Sequence, residues 1–336
     1  MGLENIINIT NLVVVSYVSN VLINYVLVKK EYKLDISNKV ELTPPKVNKY
    51  NDLNISKITL KYKKNVLNFI KVMIKNFNEK DLINFYNNIN SLKIAENNLI
   101  LRKNLKGVYH GEVNVIEITD KFEECIFHEL FHMSSFCFVN NILFCGFSQY
   151  SVDDKIGLGI NEGYTELLTR RYFEIKDKSS YYLEIEIAKK IEELIGKEKM
   201  QSLYLNSNLY GLIEELEKYN TEENIIEFIR NVDFICKYKD NINNKITFTY
   251  REFIIKCFKN IYKFLVESYT KKLLLESNLS NKEIIDKISY YVNKLIHGVM
   301  FGEGKYKDSY QFINNRDKDY FIRKIKKIIY QYNKSR

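Results

Sequence analysis

Hydrophobic residues fall into distinct regimes along the chain. Between Leu12 and Val28 they run almost unbroken, as LVVVSYVSNVLINYVLV. From Leu60 to Asn88 they recur at helical spacing: Val66, Phe69, Ile70, Val72, Met73, Phe77, Leu82 and Phe85. Beyond residue 180 the helical period returns in blocks at 181–196, 198–219, 221–238, 248–276, 281–298 and 316–332. In the last block Phe321, Ile322, Ile325, Ile328 and Ile329 form an apolar stripe on a basic helix. That stripe reads as a terminal core helix in preference to a membrane-surface one.

Between these helical regimes the period shortens. Residues 91–95 and 98–102 are short β-like runs. VNVIEI at 113–118 predicts a strand buried on both faces, with Val113 and Val115 pointing one way and Ile116 and Ile118 the other. Asp120 with Glu123 three residues on is a capping-box pattern, which predicts a helix from near Lys121 to about Phe136. NILFCGFSQYS at 141–151 reads as a strand or hairpin. Gly157 and Gly159 then break the chain before a second helix at about 160–175.

The fold class expected is α+β: a small mixed β-sheet with two helices carrying the chemistry described next, followed by a predominantly α-helical C-terminal portion. The organisation expected is an apolar N-terminal segment at 1–34, a linker at 35–58 containing Pro44 and Pro45, a core at 59–178 and a helical portion at 179–336. A hydrophobic content of 46% excludes a disordered chain. The net charge of +9 comes from lysines spread along the whole length, with no helix-turn-helix, zinc-finger or RNP-like motif, so no nucleic-acid partner is expected. Cys125, Cys137, Cys145, Cys236 and Cys257 are odd in number and form no CxxC pair. They predict neither a disulfide framework nor a cysteine metal site, and point to a reducing, cytoplasmic compartment.

Residues 12–28 leave two readings open. The run is just short for a membrane span and is interrupted by Ser16, Ser19, Asn20 and Asn24, which suits a buried element of a soluble fold. As a span it would be followed by Lys29, Lys30 and Lys33, keeping the rest of the chain membrane-associated on the cytoplasmic side. No basic stretch precedes it, so a cleaved signal peptide is not expected.

The chain has only four histidines, and two stand in His128-Glu129-Leu130-Phe131-His132 on the helix predicted after residue 120. Residues i and i+4 lie one above the other on a helix face, so both imidazoles can reach one zinc ion. Glu129 projects beside that position and suits a general base acting on a zinc-activated water. Downstream, INEGYTE opens the second helix. A zinc peptidase needs three protein ligands and an open fourth position, and Glu162 would supply the third. Glu166, one turn on, suits the acceptor of a ligand histidine's other ring N–H. Gly163 would let this helix lie close against the first. Cys125, one turn before His128, reads as a small apolar residue and not as a ligand.

HELFH followed by INEGYTE resembles the gluzincins, the thermolysin-like and aminopeptidase-like zinc metallopeptidases. The resemblance spans about 108–175. It implies one zinc ion per chain held by His128, His132 and Glu162, with Glu166 as the acidic partner behind the ligands. It implies hydrolysis of a peptide or protein substrate, and an edge strand above the HExxH helix, for which 113–118 is in place. It also implies a downstream Tyr or His that stabilises the oxyanion. Tyr150 and His297 are the candidates, although each also suits a structural role, as does His110. The aminopeptidase-type GxMEN segment is absent, which favours an endopeptidase or oligopeptidase. The rival readings are a non-catalytic zinc-binding protein and a membrane-anchored helical scaffold or regulatory protein.

Overall fold

The helical run from Leu60 to Asn88 forms two helices, because the backbone turns extended at Phe77 (φ −124°, ψ 151°). Helix α1 spans Leu60–Asn76, and a tight turn at Glu79–Asp81 leads into α2 (Ile83–Ile89). These open a computed structural model that describes residues 53, 55, 58–96, 106–119, 124–139, 142–150, 155–175, 181–238, 248–300 and 315–334. Helix α1 buries Tyr62, Val66, Phe69, Ile70 and Met73 on one face. The Phe69 ring meets Phe131 edge-on at 5.0 Å and stacks on Phe173 at 5.8 Å. Burying one such side chain is worth about 1.5–3 kcal/mol, so this cluster fixes α1 to the segments that hold Phe131 and Phe173.

Strands β1 (Lys93–Glu96), β2 (Gly107–His110) and β3 (Val115–Ile118) form a mixed sheet in the order β1-β3-β2. β1 and β3 run parallel, and β2 is antiparallel to β3. The expectation for 113–118 needs two corrections. The strand begins at Val115, after a turn that leaves Val113 64% exposed. Only Ile116 and Ile118 are buried, so one face is covered and not both. The strand is also central, and β2 forms an edge, so 113–118 is not the edge strand. The run at 98–102 lies outside the described residues.

Helix α3 (Ile126–Ser135) starts later than expected, after a tight lead-in at Glu124 and Cys125. The capping pair Asp120 and Glu123 lies outside the described residues. The helix stops where Phe136 turns extended and begins β4 (Phe136–Val139), a strand missing from the sequence reading. β4 pairs with β5 (Ile142–Cys145), and Gly146 and Phe147 turn the chain into β6 (Ser148–Tyr150). With β7 (Lys155–Ile156) these make an antiparallel sheet in the order β4-β5-β6-β7. The one small sheet expected is therefore two.

Helix α4 (Leu158–Tyr172) begins at Gly157, whose φ of +84° lies in the left-handed region. A Cβ there would sit 1.9 Å from the Phe147 carbonyl oxygen, so only glycine fits. The helical portion follows as α5 (Tyr182–Ile195), α6 (Lys197–Leu205), α7 (Leu209–Glu217), α8 (Glu222–Tyr238), α9 (Phe248–Glu276), α10 (Asn281–Met300) and α11 (Asn315–Lys334). The single helix expected at 198–219 is split at Ser207, which adopts φ +51°. Asn208 then caps α7 by accepting the Gly211 N–H at 2.7 Å. On α11, Phe321, Ile325 and Ile329 are buried against α9 and α10, so the stripe is core. The architecture is mixed α+β, mostly helical, with a helical C-terminal portion. No helix among the described residues is long and apolar enough to cross a membrane, and residues 12–28 lie outside them.

The start of α4 has no side-chain cap of its own. Asp233 on α8 supplies one, accepting the Gly157 and Gly159 N–H groups, each at 2.8 Å. Substituting Asp233→Ala leaves both donors without that carboxylate. Urea unfolding is expected to register a loss of about 1–2 kcal/mol.

Candidate metal centre

Helix α3 is buried along nearly its whole length: every residue from His128 to Ser135 is buried. It packs against α1, α2, α4 and β2, which explains the Leu130, Phe131 and Met133 set between and after its polar residues. His128 and His132, four apart, project on one face. Helix α4 crosses α3 and delivers Glu162 and Glu166 to that face from its second and third turns.

Three donor atoms meet there. His128 Nε2 lies 3.0 Å from His132 Nε2 and 3.2 Å from Glu162 Oε2. His132 Nε2 lies 3.5 Å from the same oxygen. A tetrahedron with bonds of about 2.0–2.1 Å has edges of about 3.3 Å, so this triangle has the size of one face of a metal's coordination shell. His128, His132 and Glu162 can hold a metal ion, and among the described residues no fourth His, Cys, Asp or Glu joins them. Glu129 is buried beside the triangle but outside it.

The surroundings fix each donor. His128 Nδ1 faces Glu166 Oε2 at 3.0 Å, and Arg170 Nε donates to the other Glu166 oxygen at 2.7 Å. Tyr181 stacks its ring on His128, 5.5 Å between centroids and 11° between planes, and its hydroxyl donates to Glu162. Tyr181 holds φ +55°, an uncommon backbone state for a residue with a side chain. Glu129 accepts the Tyr109 N–H. A Cβ on Gly107 would stand only 3.2 Å from the Glu129 carboxylate, so the β2 edge lies directly on it.

Charge in this dry space is strongly coupled. Burial pulls His128 down, but hydrogen bonds to Glu162 and Glu166 outweigh it and raise its pKa to about 9. Burial likewise opposes the charge on His132, yet the Glu162 carboxylate holds it well above its usual value of 6.5. Glu162 goes the other way: burial favours its neutral form, and the two histidines override that and hold it well below 4.5. For Glu129 burial wins: it raises the carboxyl although the two histidines and the Tyr109 N–H pull it down.

No family model matches the chain, and neither does any curated protein or any solved structure.

The remaining expectations divide as follows. Tyr150, on β6, lies close enough for the charges of Glu162 and His132 to reach its phenol, which burial pushes up and Ser148 hydrogen-bonds. His297 sits on α10, which packs on α5, α9 and α11, and its side chain lies outside those described. His110 lies 3.4 Å from Glu117 across β2 and β3, a place in the sheet. Cys125 is half-buried in the lead-in turn to α3 and does not belong to the ligand group. Gly163 lies against the backbone of Glu184 on α5, where a Cβ would be 2.3 Å from the carbonyl oxygen. The close approach it allows is therefore to α5 and not to the HExxH helix. Sequence reasoning missed Arg170, although it stands four residues after Glu166 and follows from helical spacing. It also missed Tyr181 and Cys145, whose sulfur lies 3.5 Å from His132 Nδ1; no spacing rule connects either to the motifs.

The raised histidines set a pH dependence in chelator-treated protein. Their folded pKa values exceed the unfolded value of 6.5, so they contribute stability that is fully present below 6.5 and lost as pH rises through about 9 for His128. Glu129, raised by burial, acts in the same sense. Denaturant unfolding is expected to show stability falling between those pH values. Added zinc should cancel the fall, because the metal takes the place of the protons.

Proposed function

We propose that the chain is a zinc-dependent peptidase of the gluzincin type. The observation that carries this reading is the three-donor triangle with a buried carboxylate beside it. A structural zinc site normally closes with four protein ligands, whereas a catalytic one leaves a position open. Among the described residues the donor set stops at three. A zinc ion held there would acidify a water molecule and polarise a substrate carbonyl.

The protein's own groups have assignable tasks on this reading. His128, His132 and Glu162 bind the ion. Glu129 takes the proton of the attacking water and returns it to the departing amine, a role suited to a carboxyl whose pKa burial has raised. Glu166, itself anchored by Arg170, accepts the Nδ1–H of His128 and thereby leaves Nε2 free to bind. The peptide would lie along β2 and not along 113–118, because β2 is the sheet edge that touches α3. The substrate's oxygen would then face the Tyr181 hydroxyl, which already bonds a ligand carboxylate.

Metal analysis after dialysis, followed by digestion of a peptide library, tests the assignment. About one zinc per chain with cleavage supports it. A protein that neither retains zinc nor takes it up removes it. Glu129→Gln is expected to keep zinc and lose about 100-fold or more in turnover. Tyr181→Phe is expected to lower kcat by about 100-fold with a smaller change in KM, because the hydroxyl's contribution grows as charge develops on the substrate oxygen.

A further inference from the structure

The two ligand histidines are supported by unlike partners. His128 Nδ1 has a carboxylate, Glu166. His132 Nδ1 has two neighbours, Asn161 Nδ2 at 3.4 Å and Cys145 Sγ at 3.5 Å. A neutral imidazole carries one ring proton, and a histidine that binds metal through Nε2 must carry it on Nδ1. That proton then needs an acceptor.

Asn161 is not that acceptor. Its Oδ1 accepts the Phe147 N–H at 3.1 Å, so its NH2 end faces the imidazole. An amide NH2 only donates. By donating to Nδ1 it would favour the opposite tautomer, with the proton on Nε2 where the metal belongs. Cys145 has the complementary arrangement. Its S–H is directed to the His132 carbonyl oxygen at 3.5 Å, which leaves the sulfur lone pairs for Nδ1–H. The strand pairing places it there: Cys145 lies opposite Phe136 in the β4–β5 register, at the end of β5 and over the last turn of α3.

We infer that Cys145 is a positioning residue that selects the metal-binding tautomer of His132 against the opposing amide of Asn161. The thiol does not ligate the metal, since it faces the ring nitrogen on the far side from the triangle. The inference rests on the metal-site reading above. It adds that a thiol outside the ligand set determines how tightly the set binds.

The test measures zinc affinity of the full chain by competition with a chromophoric chelator, with circular dichroism to show that each variant is folded. Cys145→Ala removes the acceptor without adding bulk and is expected to weaken zinc binding by about 10- to 100-fold. Cys145→Ser keeps a hydroxyl that can accept and should stay close to wild type. The double variant Cys145→Ala with Asn161→Asp should regain most of the affinity, because a carboxylate at 161 accepts both the Phe147 N–H and the His132 Nδ1–H. Ring 15N shifts of the zinc-free variants, taken above the pH at which His132 becomes neutral, give a second readout, with Cys145→Ala moving the remaining His132 proton towards Nε2. Unchanged affinity in Cys145→Ala, or no recovery in the double variant, overturns the tautomer assignment while the metal site stands. A wild-type chain that takes up no zinc overturns the metal-site reading, and this inference with it.

Discussion

A carboxylate and two imidazoles share a dry pocket, and their mutual attraction is the constraint around which the neighbouring elements are organised. Glu162 alone would be costly to bury, and each histidine alone would lose its charge there. Together they reverse both tendencies, with the carboxyl well below its usual value and the rings well above theirs. Such a cluster is favourable only when the geometry keeps the charges close. The surrounding structure therefore has to hold α3 and α4 in one relation, and its most specific contacts do so.

Helix α4 is fixed at three points along its length. Asp233 caps its first turn from α8. Gly163 lets α5 approach to backbone contact. Near its end, Arg171 makes a two-pronged contact with Glu192 on α5, which also accepts the Tyr164 hydroxyl. Helix α3 is fixed differently, through apolar contact with α1 and α2 and through the Asn88 amide, which donates to the Met133 and Phe136 carbonyls at 2.8 Å each. The Met133 carbonyl also accepts the Phe136 N–H that closes the helix, so the Asn88 amide ties the junction of α3 and β4 to α2. The mostly helical second half thus clamps one of the two helices that bring the donor groups together, while the first half embeds the other.

The ligand motifs were legible in the sequence because helical spacing is a local rule. His128, His132, Glu162 and Glu166 needed only i, i+4 geometry to be set on two faces, and the two faces meet. The register and order of the strands were not legible. VNVIEI carries the composition of a strand, but whether it is central or at the edge depends on GVYH at 107–110, a run too short to announce itself. The helix end expected near Phe136 agrees with the structure, but FCFV at 136–139 was not read as a strand, because four apolar residues after a helix carry no alternation to mark them. The break at Ser207 was missed for a similar reason: Asn206-Ser207-Asn208 is a turn signal inside an otherwise uninterrupted helical period. Tyr181 and Cys145 reach the site from segments whose paths only tertiary packing determines.

The separation of roles between neighbours in the HExxH segment depends on this combination of a helix and a sheet edge. Successive residues on a helix diverge by about 100°, so Glu129 points away from the face that His128 shares with His132. Left to itself, a long acidic side chain next to two cationic rings would fold back towards them. The β2 backbone prevents this. Tyr109 supplies an N–H to the carboxylate, and the missing side chain at Gly107 gives it room. An extended chain added to β2 would meet the Glu129 carboxylate held by that same backbone. On the peptidase reading, the strand that aligns the substrate is also the element that keeps Glu129 out of the ligand set, so placement of the base and alignment of the peptide share one structural cause.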